Sequence, residues 1–349
     1  MNVPPASRLA LVLSLSLFAV ACGGDDDSSN GLGKGAEKSG SGGSGGSSTV
    51  IVTGGSTGSG ATNGSGGGGN ATASGGTGPY MLPAGFTKAD DGGGWKLGDP
   101  VVEGQPPPDT STSGMGCGQQ ILGIVRDFRR FDETNGHPDF QHYQGQGQPG
   151  AVQTALGSDQ KPVFNPAALN QTPCTADDTG KAHSCFTSAD DYTEWYNDDA
   201  NVNDPYYIFF SLQPNGGTAS FHSSAFFPLD HEGFDTNMPD KDGHNFSFTT
   251  EVHTTFLYSG GETFTFEGDD DVWVFINGQL AIDLGGLHSE QHKSIDLDQS
   301  AKTLGITTGQ VYPLDLFHAE RHTDQSNFKI TSTLYFVDCG VIVPSGQVK

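Results

Sequence analysis

The chain has 349 residues, a net charge of −25 and only 16 lysines and arginines. That balance lacks the cationic footprint a phosphate backbone needs, which argues against nucleic acid as a partner. With 52 glycines and 34% hydrophobic residues, the average conceals a low-complexity N-terminal part and a globular remainder.

In chain order, residues 1–21 read as an export signal. Arg8 supplies the positive region, and 9–19 form an apolar run too short to cross a membrane as a helix. The run ends Phe18-Ala19-Val20-Ala21-Cys22, small residues directly before a cysteine, a pattern that resembles a bacterial lipobox. Cleavage there would leave Cys22 lipidated and anchor the chain to a bacterial outer membrane or cell surface; a signal peptide cut near Ala21 is the alternative. Residues 22–79, mostly Gly, Ser, Thr, Asn and Asp, bury too little apolar surface to offset their ordering entropy. They are expected to be a flexible tether with a reach of roughly 40 Å. Residues 80–116, with Tyr80, Phe86 and Trp95 followed by Pro106-Pro107-Pro108, read as a partly ordered approach segment. A globular domain is expected over 117–341.

Apart from Cys22, the chain has Cys117, Cys174, Cys185 and Cys339, an even number in an exported protein, which implies disulfides. Of the three possible pairings, Cys117–Cys339 would clasp the ends of the domain and Cys174–Cys185 would close a short loop in a polar insert. Zinc is the rival reading, but no CxxC spacing is present.

Strands are expected at 120–125, 206–212, 220–227, 245–258, 262–266, 272–276, 279–284, 294–297, 311–320 and 327–337. The strict alternation of Phe246-Ser247-Phe248-Thr249 and Thr263-Phe264-Thr265-Phe266 is that of half-buried strands. Asn277-Gly278 marks a two-residue hairpin turn and Ser259-Gly260-Gly261 another tight turn. One short helix is expected at 189–196 with Ser188 as N-cap. Short strands at regular spacing without helical alternation give an all-β class, a sandwich or barrel.

The segment 268–278, Gly-Asp-Asp-Asp-Val-Trp-Val-Phe-Ile-Asn-Gly, places three carboxylates at a turn before a strand that is apolar on both faces. Asp269, Asp270 and Asp271 repel one another unless a cation or backbone N–H groups compensate them. A hard cation held by oxygen ligands, Ca²⁺, is the simplest explanation.

The longer run 268–286, ending Gln-Leu-Ala-Ile-Asp-Leu-Gly-Gly, resembles the hallmark of the fibro-slime domain. Further matches are Arg126-Asp127-Phe128, His137-Pro138-Asp139-Phe140, Phe226-Phe227-Pro228-Leu229-Asp230, His244-Asn245-Phe246, and Phe317-His318-Ala319-Glu320-Arg321-His322 with Ser326-Asn327-Phe328. That family is similar in turn to the PA14 superfamily. The resemblance implies a PA14-like β-sandwich with loop insertions and one short helix. It also implies a Ca²⁺ held by Asp269 and Asp270, joined by a cis peptide, and by a second loop at 322–327. In that loop Asn327 matches the amide ligand and Asp324 is an added candidate. Asp271 stands where the family pattern has glycine, which leaves open which two of the three carboxylates bind metal. Arg321 and His322 join Asp269, Asp270 and Asn327 as ligand-binding candidates.

Other readings are weaker. His318, Glu320 and His322 would share one strand face, but the two imidazoles would start roughly 13 Å apart, too far for one zinc. The acidic runs starting at Asp199 and Asp240 begin like Ca²⁺ loops but lack the central glycine, and the first also lacks the final glutamate. Asp283 reads as a structural cap of the 284–286 turn. Tyr196, Trp195 and Trp273 could provide sugar-stacking faces, though Trp195 and Trp273 suit the core equally. No Gly-x-Ser-x-Gly elbow or P-loop is present in the globular domain. The functional expectation is a non-enzymatic surface lipoprotein that binds carbohydrate in a Ca²⁺-dependent way, for adhesion or matrix recognition. A structural matrix protein and a metal-assisted glycan hydrolase are the alternatives.

Overall fold

The computed structural model describes residues 94–102, 105, 108, 120–140, 143–176, 180–236, 243–321, 325–338 and 340. Cys22, the tether, Cys117, Cys339, His322 and Asp324 lie outside them, and so does the expected Cys117–Cys339 pairing.

The strands in chain order are β1 (Trp95–Pro100), β2 (Gln120–Phe128), β3 (Tyr143–Gln144), β4 (Val152–Leu156), β5 (Pro162–Phe164), β6 (Cys174–Ala176), β7 (Ala182–His183), β8 (Asn203–Ser211) and β9 (Gln213–Asn215). They continue as β10 (Thr218–Ser223), β11 (Phe248–Tyr258), β12 (Thr263–Gly268), β13 (Asp271–Ile276), β14 (Gln279–Leu284), β15 (Gln291–Asp296), β16 (Gln310–Glu320), β17 (Phe328–Ser332) and β18 (Tyr335–Phe336). Two α-helices, α1 (Ala189–Glu194) and α2 (Leu297–Leu304), accompany them.

The fold is all-β. A ten-stranded antiparallel sheet runs β1-β8-β2-β11-β16-β13-β14-β4-β5, with β18 beside β11, and a five-stranded sheet runs β15-β12-β17-β10-β9. Side-chain alternation explains how they stack. Val125, Ile208, Val252, Val274 and Leu316 of the large sheet share one core with Phe221, Phe264, Phe266, Phe328 and Ile330 of the small sheet. The opposite parity of the large sheet, Phe128, Trp273, Phe275, Phe317 and Ala319, joins a second core. That second core is supplied by the 129–202 insertion through Phe140, Phe164, Phe186, Tyr192 and Trp195. A strand between two apolar layers must be apolar on both faces, which accounts for Val272-Trp273-Val274-Phe275-Ile276, all fully buried.

The hairpin turn at Asn277-Gly278 is confirmed, with φ of 53° and 68°. Helix α1 starts as expected, the Asp191 N–H donating to Ser188 Oγ at 3.0 Å. The second helix corrects the expectation of one. Its signals were local: Asp296 caps it by accepting from the Gln299 N–H, and Gly305 ends it in the left-handed region. Strand β1 extends the large sheet into the approach segment, pairing Trp95 with Phe210. Among the described residues no helix is long and apolar enough to cross a membrane.

Candidate cation and ligand site

The acidic turn is the connection from β12 to β13, and three neighbouring segments, at 286–288, Arg321 and Asn327, converge on it. The register of β12 against β17 pairs Gly268 with Phe328, so Asp269 falls beside Asn327. Gly268 is required there because a Cβ would lie 2.3 Å from the Asn327 carbonyl oxygen. Asn327 donates to Asp269 Oδ2 through both its backbone N–H (2.8 Å) and its Nδ2 (2.7 Å). The Asp269 N–H returns a bond to the Asn327 carbonyl at 3.2 Å. The chain then turns through the left-handed region at Asp270, with φ of 50°. Asp270 Oδ2 accepts the backbone N–H of Arg321 at 2.9 Å, and Oδ1 accepts that of His288 at 3.3 Å.

Asp271 is held differently. Its Oδ1 accepts from the Gly286 N–H at 2.6 Å, and its Oδ2 accepts Arg321 Nε at 2.7 Å with Nη2 2.6 Å away. Gly286, at φ 82°, brings its backbone against Gln148 where a side chain would clash. The Arg321 guanidinium is fully buried. Its Nη1 donates to the carbonyls of Cys185 (2.8 Å) and Asp139 (3.2 Å), and its carbon lies 4.6 Å from the Trp195 ring centroid and 5.1 Å from that of Phe186. Burial pushes the Asp271 carboxyl up to about 6 despite the guanidinium. Burial alone would lower Arg321, but Asp271, Asp139 and Asp270 outweigh it and raise it. Burial raises Asp269 too; the Asn327 hydrogen bonds oppose this and the Asp270 charge adds to it.

The arrangement separates the three carboxylates. Asp271 has a buried counter-ion, whereas among the described residues no ion pair reaches Asp269 or Asp270, which are 4% and 2% exposed. Both Asn327 bonds end on Oδ2 of Asp269, leaving Oδ1 without a donor among the described residues. Two adjacent hard-oxygen carboxylates and a half-buried amide tied to one of them fit Ca²⁺ in donor chemistry. Among the described residues no three His, Cys, Asp or Glu side chains form a metal-holding group, so such an ion would also draw on amide or carbonyl oxygens.

The remaining candidates find structural roles. Arg321, expected to touch ligand, is sealed in the interior as the partner of Asp271. Trp195 and Trp273 are core rings whose Nε1 groups donate to Asp139 Oδ2 and Asp283 Oδ1, each at 3.1 Å, and Tyr196 is buried among them. Asp283 also accepts from the N–H groups of Gly285 (3.2 Å) and Gly150 (2.8 Å), the expected capping role extended to the insertion. Asp199 forms an Asx turn with Asn201. Strand β16 ends at Glu320, and His318 faces the inner core. Cys174–Cys185 is a disulfide.

Sequence reading missed a second polar centre on the covered face of the large sheet. Glu251 accepts Arg126 Nη1 at 2.6 Å, pairs with Lys161 of the insertion, and meets His253 Nε2 at 2.5 Å, while His253 Nδ1 lies 2.7 Å from Asp315. Burial alone would raise Glu251, but Lys161 and Arg126 hold it well below the usual carboxylate range. These residues lie 90 and 125 positions from Glu251, so no local motif announces them.

A family model described as the PA14 domain matches residues 192–345. That stretch includes strands β8 to β18, and with them the acidic turn, Arg321 and Asn327. Protein psiD of Dictyostelium discoideum is 38% identical over 232 residues, covering 62% of this chain and 44% of that protein. Protein psiI of the same organism is 43% identical over 162 residues, covering 43% of this chain and 22% of that protein. The chain thus spans less than half the length of either relative. The PA14 domain of the MpAFP antifreeze protein aligns at 14% identity with a TM-score of 0.24, over 69% of this chain and 98% of that one.

Proposed function

We propose that this domain binds carbohydrate through a Ca²⁺ ion held by Asp269, Asp270 and Asn327, with Asp324 of the adjoining segment as a further ligand. The observation that carries the reading is the pair of adjacent, buried carboxylates at Asp269 and Asp270 with no ion-pair partner among the described residues. Two carboxylates out of water with hydrogen bonds but no counter-ion among the described residues are costly, and a divalent cation supplies the missing charge. When bound, Ca²⁺ takes six to eight oxygens, so a site with this few side-chain ligands leaves positions for vicinal hydroxyls of a sugar. The match of 192–345 to a PA14 domain supports the same reading.

A purely structural ion is the rival. Asn327 already fastens the second loop to Asp269 by two hydrogen bonds, so rigidifying the loops needs no metal, which favours ligand capture. Lipidation at Cys22 would present the domain at a bacterial outer membrane or cell surface, for adhesion or matrix recognition. A glycan array probed with Ca²⁺ and with chelator tests the binding. Signal that appears only with Ca²⁺ and vanishes in Asp270→Ala supports the reading, and no glycan signal in either condition defeats it. Loss of membrane association in Cys22→Ala checks the anchor.

A further inference from the structure

Three consecutive carboxylates would present a charge of −3, yet among the described residues Asp271 alone of them has an ion-pair partner. Gly286 N–H occupies Oδ1, and Arg321 Nε and Nη2 converge on Oδ2. The guanidinium is not free to swing toward Asp269 or Asp270. Its Nη1 is tied to two carbonyls of the 129–202 insertion, Cys185 and Asp139, and its plane is flanked by Phe186 and Trp195. Those neighbours are fixed in turn, because Asp139 accepts Trp195 Nε1 (3.1 Å) and the Thr187 N–H (2.7 Å), and Cys185 is in a disulfide with Cys174. Meanwhile the Arg321 backbone N–H orients Asp270 at 2.9 Å. One residue therefore neutralises one carboxylate and aims another.

We infer that Arg321 is a positioning residue that sets the charge of the cation site, removing Asp271 from the ligand set and holding the turn as a two-carboxylate site. The inference rests on the calcium reading of Asp269 and Asp270. Its consequence is selectivity. Ligand charge count tunes Ca²⁺ affinity, and a third carboxylate on the ion would both tighten binding and fill a position that a sugar hydroxyl needs. The insertion, which lends the two carbonyls and the two rings, is the element that enforces this count.

Titration calorimetry with Ca²⁺ alone, on the full chain, tests it through a charge series. Asp271→Asn leaves the guanidinium uncompensated and should weaken Ca²⁺ binding. Arg321→Gln leaves the carboxylate uncompensated and should tighten it. Each shift is expected to be on the order of tenfold in Kd, and the double variant, net neutral, should return near the wild-type value. A pair that only props up the fold predicts losses in all three variants and no recovery in the double. Thermal melts in chelator report folding separately. Should Arg321→Gln fail to fold, the recovery of the double variant over Asp271→Asn still decides, and a double variant no better than the single overturns the inference. A wild type that takes up no Ca²⁺ overturns the calcium reading and this inference together. A wild type that binds while its variants fall out of charge order overturns only the inference.

Discussion

His318 lies on the inner face of β16, fully buried, with the rings of Phe328, Phe248 and Phe226 at 5.1, 5.9 and 6.1 Å between centroids. Its Nδ1 has Thr250 Oγ1 at 3.4 Å, and its Nε2 has no hydrogen-bond partner among the described residues. Burial first, and the His288 charge second, push this imidazole down to about 3. The unfolded chain titrates near 6.5. Above that value neither state is charged and the group is silent. Below it, the unfolded state takes up a proton that the native state refuses, so stability falls as pH falls, by about 1.4 kcal/mol per unit. The loss continues until the native imidazole itself titrates near 3. Between pH 8 and 4.5 the expected contribution is about 3 kcal/mol. His318→Leu keeps an apolar side chain of similar size and removes the proton site. Urea unfolding of both proteins, in chelator and across that pH range, should show the variant gaining about 3 kcal/mol relative to wild type as pH falls. Other acid-sensitive groups, His137 among them, are common to both and cancel. Parallel stability curves for the two proteins would refute the argument.

His253 should act with the opposite sign. Burial alone would lower it, but its bonds to Asp315 and Glu251 raise it, so its stabilisation is complete below 6.5 and is lost as pH rises through the higher native value. His253→Gln should flatten the alkaline limb of a Tm-against-pH curve, and an unchanged limb counts against the assignment. Glu251→Ala strands Lys161 in the interior, leaves Arg126 with Asp198 as its remaining partner, and should cost about 3–5 kcal/mol by denaturant midpoint; a loss under about 1 kcal/mol would show the network to be dispensable. Replacing Cys174 and Cys185 by serine opens a loop of sequence separation 11, with an expected loss of about 2–3 kcal/mol by chemical unfolding.

The sandwich was legible because its strands carry period-2 patterns and its turns carry Asn-Gly and Gly-Gly, all short-range signals. Of the expected strands, 279–284 agrees to the residue, while 294–297 did not separate the end of β15 from the start of α2. The helix had an Asp cap and a terminal glycine, but the strand reading of Ile295 and Leu297 overrode them. The acidic turn was legible as a cluster. What could not be read was its division of labour, because Asp271 finds its partner 50 positions away at Arg321, inside a cradle built by the insertion. Within 129–202 the sequence signalled only the helix at 189–196 and a short loop closed by Cys174–Cys185. Apart from Tyr192 and Trp195 at that helix, the aromatic residues Phe140, Phe164 and Phe186 are spaced without a helical or strand period, so the common burial of all five in the core that holds Trp273 has no one-dimensional signature.

The both-sides burial of β13 bears on how the turn can work. A strand packed between two cores is held rigidly, and the carboxylates at its start inherit that rigidity. Every carboxylate of the turn already accepts at least one backbone N–H, from Asn327, Arg321, His288 or Gly286. Their mutual repulsion is therefore partly offset before any cation arrives, and the oxygens occupy fixed positions. A cation binding there would order little further chain, so more of its interaction energy would appear as affinity. Loosening the insertion should raise that ordering cost even if no residue of the turn changes, which makes the insertion part of the site rather than a covering on it.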